Sequence, residues 1–172
     1  DSTTTSFTEH GSNLSTRSGI GVDVHPLVDG LTLVLGGVAI PFDKGLSGHS
    51  DGDVLVHAVI DAVLGGVGLG DIGQHFPSTD PDLEGIESTR LLERTAELVA
   101  GVSWRTTYVD ATILAESPVL GPFLQQMRHG IAFHLGLDET EVNIKATTTD
   151  YLGFIGRCEG IAAVAVATVE SI

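Results

Sequence analysis

Two short stretches place metal-ligating side chains in register. In "VDVH", Asp23 and His25 stand two residues apart, so on a strand they point to one side while Val22 and Val24 face the other layer. In "DVLVHAVID", Asp53, His57 and Asp61 recur every four residues along one face of an otherwise apolar helix. Burying that stripe without partners costs roughly 1 to 3 kcal/mol for each unsatisfied group. A metal held by Asp23, His25 and His57 removes the cost. Two imidazoles and one carboxylate suit Zn²⁺, with the fourth tetrahedral position open to a substrate oxygen. Asp61, one turn beyond His57, is expected to accept a hydrogen bond from its ring and orient it. The ordinary alternative has His57 as a core histidine satisfied by Asp53 or Asp61, with His25 at the surface, and spacing alone does not choose between the two.

Further polar groups could complete a phosphate site. His49 and Ser50 precede the helix in a glycine-bracketed loop. Ser50 or Asp51 could cap the first helical turn, or His49 and Ser50 could face the metal where backbone donors also hold phosphate oxygens. Asp71 and His75 could line the same cavity or a solvated loop. In "KATTTD", Lys145, Thr147 and Thr149 alternate with Ala146, Thr148 and Asp150. Three hydroxyls followed by a carboxylate could bind phosphoryl oxygens and a hard cation such as Mg²⁺ or Mn²⁺, although threonine is also an ordinary strand former. "GFIGRCEG" fits neither the dinucleotide fingerprint nor a P-loop. Its Arg157 could pair with Glu159 or meet an anion. Cys158 has no basic neighbour in sequence that would activate it, and no nucleophile elbow is present, so covalent catalysis is not expected.

The elements that must carry these groups follow from periodicity and turn residues. "GIGVDVHPLV" alternates as a strand, and a turn at Asp29-Gly30 predicts a hairpin with "LTLVLGG". Residues 41–52 are then a loop, a helix runs from about Asp53 to Gly65, and Gly65-Gly66 ends it. Residues 66–86 form a second loop that could hold a short helical turn. An amphipathic helix covers 87–99, with Leu91, Leu92, Ala96 and Leu98 towards the core. A strand from Trp104 ends before Pro118, a helix spans 122–135, and strands cover 141–149 and 160–172. The expected fold is α+β, an α/β sandwich in which a mixed sheet packs against helices in one compact domain.

A chain of 172 residues fits a single domain, here 19–172 behind an unstructured tail at 1–18 that is rich in Ser and Thr. Eight Lys and Arg against 23 Asp and Glu leave a net charge of -15, which opposes binding to nucleic acid or an anionic membrane. An anionic substrate would then need metals, helix ends or backbone donors. The single Cys158 excludes an internal disulfide and suits a cytoplasmic protein. No apolar run approaches the roughly 18 residues of a membrane span.

Taken together, "GVDVHPL", "GLSGHSDGDVLVHAVIDAVLG", "GLGDIGQHFPSTDP" and "VNIKATTTDYLGFIGRCEGIAA" resemble the 2-C-methyl-D-erythritol 2,4-cyclodiphosphate synthases, over about Gly19 to Ile172. The resemblance implies a lyase that converts 4-diphosphocytidyl-2-C-methyl-D-erythritol 2-phosphate to the cyclic diphosphate and CMP. It also implies a homotrimer with active sites between neighbouring subunits. Asp23, His25 and His57 match zinc ligands, one ion per subunit. His49 and Ser50 match the loop over the substrate, and Asp71, Ile72 and Gly73 match positions near the methylerythritol hydroxyls. Ala115, Pro118, Val119, Leu120 and Gly121, with Ala146, Thr147, Thr148 and Thr149, match the cytidine and phosphate pocket. Asp150 stands where the family commonly has Glu as ligand to a second cation, Mg²⁺ or Mn²⁺. Val119 stands where Lys is frequent. Phe154, Arg157 and Glu159 match residues around a central trimer cavity thought to accept an isoprenoid diphosphate. Metals and phosphate contacts alone would equally serve a metal-dependent phosphohydrolase, and a non-catalytic isoprenoid-binding protein is the other alternative.

Overall fold

The computed structural model describes residues 14–172, so most of the expected tail lies outside the described residues. In chain order the elements are β1 (Thr16–Asp29), β2 (Leu33–Leu35), β3 (Val38–Ile40), β4 (Lys44–Leu46), α1 (Val54–Val67), α2 (Ile72–His75), α3 (Ser88–Gly101), β5 (Trp104–Leu114), α4 (Leu124–Leu135), β6 (Val142–Thr147), α5 (Gly153–Gly156) and β7 (Gly160–Ser171). Five strands form one sheet in the order β4-β1-β7-β5-β6. The β5–β6 pair is parallel, joined through α4, and the other neighbours are antiparallel. This is the mixed sheet packed against helices that the sequence predicts.

The core lies between the sheet and α1, which packs against β1 and β7 and carries α3 on its outer side. Alternation on β7 turns Ile161, Ala163, Ala165, Ala167 and Val169 to the helix, and all five are buried. Small side chains there let the helix come close. On β1 the approach is closer still, because a Cβ on Gly21 would stand 1.9 Å from the carbonyl oxygen of Ala58. Such contact explains why α1 runs through Gly65 and Gly66 to Val67 rather than ending at Gly65 as expected: Gly66 lies against β1 and Val169. Tertiary packing overrides the low helix propensity of glycine here.

Three expectations need correction. The hairpin does not turn at Asp29-Gly30. β2 pairs instead with β3 across Gly36-Gly37, whose φ values of 59° and 75° suit a tight reverse turn, while β1 passes into an antiparallel pair with β4 inside the expected loop. On α3 the buried stripe is Leu91, Leu92, Thr95 and Val99, with Ala96 and Leu98 only half-buried. Among the described residues, Val22 and Val24 meet no second layer. The helices cover the opposite face of β1, which leaves Ile20, Val22 and Val24 exposed at 66%, 55% and 47%. No helix among the described residues is long and apolar enough to cross a membrane.

Candidate active site

Asp23 and His25 project from the helix-facing side of β1 toward the first turn of α1, where His57 meets them. Asp23 Oδ2 lies 2.9 Å from His25 Nε2 and 3.0 Å from His57 Nδ1, and the two ring nitrogens are 3.3 Å apart. The triad is the group of His, Cys, Asp and Glu side chains placed to share an ion among the described residues. Its chemistry fits a divalent cation. His25 Nδ1 stands 2.6 Å from the carbonyl oxygen of Ser47, which can only accept, so that nitrogen carries the proton and Nε2 turns a lone pair toward Asp23. A lone pair and a carboxylate oxygen at 2.9 Å require a proton or a cation between them. Tetrahedral coordination at about 2.0 to 2.1 Å places ligand atoms roughly 3.3 Å apart, close to the spacing found.

Burial pushes the Asp23 carboxyl upward, but hydrogen bonds and charge from His25 and His57 outweigh it and hold the group well below the usual carboxylate range. The Asp23 carboxylate, as hydrogen-bond acceptor, in turn raises His25, against its own burial. Asp23 therefore stays ionised and presents a negative oxygen to a cation or a proton.

A cavity of about 300 Å³ opens onto the triad and is walled by His49, Ser50, Ile72 and Gly73, together with Phe76, Ser78, Leu83 and Leu91. Ser50 Oγ is 3.0 Å from His57 Nε2, and His49 Nε2 is 3.0 Å from the carbonyl of Asp80. Thus the loop before α1 faces the triad. Asp71 accepts a 3.0 Å bond from Gln74 N and caps α2, outside the cavity wall, and His75 binds the carbonyl of Leu69 at 2.6 Å instead of facing the triad.

Asp61 has a different partner from the one expected. Its Oδ1 accepts the backbone N–H of Ile72 at 2.7 Å, fastening α2 to α1, while the outer nitrogen of His57 meets Ser50 and Ser88. The register of α1 puts Asp61 beside the loop at Leu69–Ile72, and the uncapped N–H there is the nearer donor. Ser88 was not singled out by the sequence; a serine opening a helix reads as an ordinary cap.

Asp53 is fully buried at the N-terminus of α1. It accepts N–H groups from Gly36 at 2.9 Å, Gly37 at 2.7 Å and Val56 at 3.1 Å, so it ties the β2–β3 turn to the helix. Burial pushes its pKa up to about 6 despite those bonds.

A second cavity, about 250 Å³, lies between the ends of β5 and β6 and gathers Ala115, Pro118, Val119, Leu120, Gly121, Ala146, Thr147 and Thr148. Its floor is mainly backbone and apolar side chain, and Val119 is 80% exposed at the rim. Thr149 and Asp150 follow in a turn where Asp150 and Tyr151 have φ of 52° and 63°. Glu116, which no motif singles out, holds that turn by accepting the N–H groups of Thr149 and Tyr151, both at 3.3 Å. Only its place one residue before Ser117-Pro118 marks it in sequence. Among the described residues Asp150 joins no cluster of ligating side chains; its backbone N–H reaches Thr148 Oγ1 at 3.3 Å. Arg157 pairs with Glu159 at 2.9 and 3.1 Å on the exposed end of the sheet, with Phe154 43% exposed nearby in α5.

The two cavities share no wall residue. His25 pairs with Ile161 of β7, Ala162 with Leu114 of β5, and Leu114 with Thr147 of β6, so the triad and the threonine pocket sit at one end of the sheet, three strand spacings or about 14 Å apart.

Comparison with known proteins places this geometry. The model of the YgbB family matches residues 16–170. The 2-C-methyl-D-erythritol 2,4-cyclodiphosphate synthase of Desulfatibacillum aliphaticivorans is 58% identical over 154 residues, covering 90% of this chain and 99% of that protein. The synthase of Thiobacillus denitrificans is 53% identical, covering 90% and 96%. Among solved structures, the bifunctional IspDF from Campylobacter jejuni is 42% identical with a TM-score of 0.89; the match covers 92% of this chain, which spans 43% of that longer protein. A CDP-bound 2C-methyl-D-erythritol-2,4-cyclodiphosphate synthase is 32% identical with a TM-score of 0.81, covering 88% and 98%.

Proposed function

The chain belongs to the YgbB family, and on that premise we propose how it works as a lyase. It converts 4-diphosphocytidyl-2-C-methyl-D-erythritol 2-phosphate to 2-C-methyl-D-erythritol 2,4-cyclodiphosphate and CMP, the reaction of the synthases it matches. An oxygen of the 2-phosphate forms a bond to the β-phosphorus. The bond from that phosphorus to the bridging oxygen breaks, and the electron pair leaves with CMP. No net proton transfer is required, so positioning and charge neutralisation carry the rate.

The observation that carries this reading is the convergence of Asp23, His25 and His57 on one point at the foot of an open cavity. These three residues would hold Zn²⁺, one per subunit. Asp150 would contribute to a second cation, Mg²⁺ or Mn²⁺, together with substrate oxygens. When bound, such ions neutralise and orient phosphate groups. Asp23, kept ionised by its two histidines, holds the positive charge in place. His49, Ser50 and Gly73 would enclose the methylerythritol and its 2-phosphate, as would Asp71 and Ile72 from α2.

The threonine pocket would take the nucleotide. Backbone groups of Ala115, Pro118, Val119, Leu120 and Gly121 would read the base, and Ala146 to Thr149 would contact phosphate oxygens. With valine at position 119, no ammonium is available there, and the grip on phosphate falls to Thr148 and backbone donors. The separation of the two cavities across the sheet supports a site completed by a second copy of the chain. The apolar face at Ile20, Val22 and Val24 supports association, since exposed contiguous apolar surface marks an interface. A homotrimer fits both, with Phe154 and the Arg157–Glu159 pair at a central cavity that would admit an isoprenoid diphosphate. Cytoplasmic residence fits its cytidine-nucleotide substrate.

Product analysis tests the reaction. Metal-replete protein supplied with the substrate is expected to release CMP and the cyclic diphosphate in equal amounts. Linear phosphate products would indicate a phosphohydrolase, and binding without CMP release in either Mg²⁺ or Mn²⁺ would indicate a non-catalytic binding protein.

A further inference from the structure

We propose that Ser88 and Asp51 form a hydrogen-bond relay that fixes the ring of His57 for metal binding, which makes Ser88 a positioning residue for the triad. The inference rests on the reading that Asp23, His25 and His57 hold a cation. Ser88 is the first residue of α3 and is fully buried. Its Oγ stands 2.9 Å from His57 Nε2. The same hydroxyl donates to Asp51 Oδ1, and the backbone N–H of Ser88 donates to Asp51 Oδ2 at 3.0 Å. Asp51 is itself steadied by the N–H of Asp53 at 3.2 Å.

The order of protons in this chain is fixed by chemistry. An ionised carboxylate only accepts, so the single hydroxyl proton of Ser88 points to Asp51. The Ser88 oxygen then faces His57 with a lone pair, and a proton on His57 Nε2 makes that 2.9 Å contact a hydrogen bond. Its Nδ1 is left bare, aimed at Asp23 Oδ2 and His25 Nε2 at 3.0 and 3.3 Å. The other tautomer would place a hydrogen where the cation must sit. Ser50, on the cavity wall, joins the same relay at 3.0 Å from His57 Nε2 and 3.2 Å from Ser88 Oγ. The partner of a ligating histidine is therefore supplied by the start of α3, not by Asp61.

Two substitutions separate this role from helix capping. Ser88→Ala removes the hydroxyl and leaves the bond from its backbone N–H to Asp51. Asp51→Asn keeps the shape but presents an amide. If its oxygen accepts the backbone N–H, its NH₂ donates to Ser88 Oγ and turns the hydroxyl proton toward His57, imposing the wrong tautomer. Both variants are expected to bind Zn²⁺ about 10- to 100-fold more weakly than the unsubstituted protein, measured by competition with a chromogenic chelator, and to shift the visible absorption of the Co²⁺-loaded protein. His57→Ala is the reference. Unchanged Zn²⁺ affinity and an unchanged Co²⁺ spectrum in the folded variants, with His57→Ala weak, would overturn the relay while leaving the triad intact. Equal affinity of the unsubstituted protein and His57→Ala would overturn both.

Discussion

Asp23, His25 and Asp53 are three titratable groups drawn from two elements, and each departs from its ordinary behaviour for a separate reason. Asp23 is kept ionised by the histidines beside it, and His25 is raised by Asp23. Asp53 is raised by burial from an ordinary value of 3.8 to about 6. Between those values the folded chain binds a proton at Asp53 that the unfolded chain has released, so the contribution of this group to stability declines as pH rises from about 4 to about 6 and then levels. The expected size is roughly 2 to 3 kcal/mol. Urea midpoints of metal-free protein across that range should show the decline, and Asp53→Asn should flatten it. Parallel curves for the two proteins would contradict the assignment. The strand period put Asp23 and His25 on one side, and the four-residue spacing lined up Asp53, His57 and Asp61 along α1, but that the two pieces meet at one point depends on how α1 packs against β1, which spacing does not encode. The partner of Asp61 was not readable either, since it depends on where the loop after α1 returns, and nothing in the spacing of Asp61 and His57 encodes that path.

Among the elements, α1 and β1 bear the functional geometry, and their closeness is set by glycine. A Cβ on Gly21 would meet the backbone of α1 at Ala58 and Ala62 N, at 1.9 and 2.7 Å, with no flexible side chain to yield. Gly21→Ala is expected to push α1 away, cost about 3 kcal/mol in urea unfolding and weaken metal binding, because His57 is the neighbour of Ala58. A loss of stability under about 0.5 kcal/mol would show that the contact is not tight. Both elements could be read from their alternation and from the apolar run of α1. The β2–β3 hairpin was misread because Asp29-Gly30 is a strong local turn signal, whereas the actual turn at Gly36-Gly37 is selected by the buried carboxylate of Asp53, a contact distant in sequence. The stripe of α3 was half right, since Thr95 enters the core by bonding its hydroxyl to the carbonyl of Leu91 at 2.8 Å.

For the whole molecule, a chain of charge -15 must handle a polyanionic substrate. A cation at the triad would supply the local reversal of sign, and the proposed neighbouring copy would supply the nucleotide pocket. Val22 lies on the open sheet face, away from α1. Val22→Glu should dissociate the proposed trimer in sedimentation velocity, abolish CMP release and leave Zn²⁺ affinity within about threefold; a still-associated and active variant would contradict assembly through this face. The most direct measurement concerns the triad itself: metal content per chain, read beside CMP release, in the purified protein and in His57→Ala. One tightly held zinc per chain with rapid CMP release is expected for the former, and loss of both for the latter. A His57→Ala protein that lacks the metal and still cyclises its substrate at full rate would contradict the account.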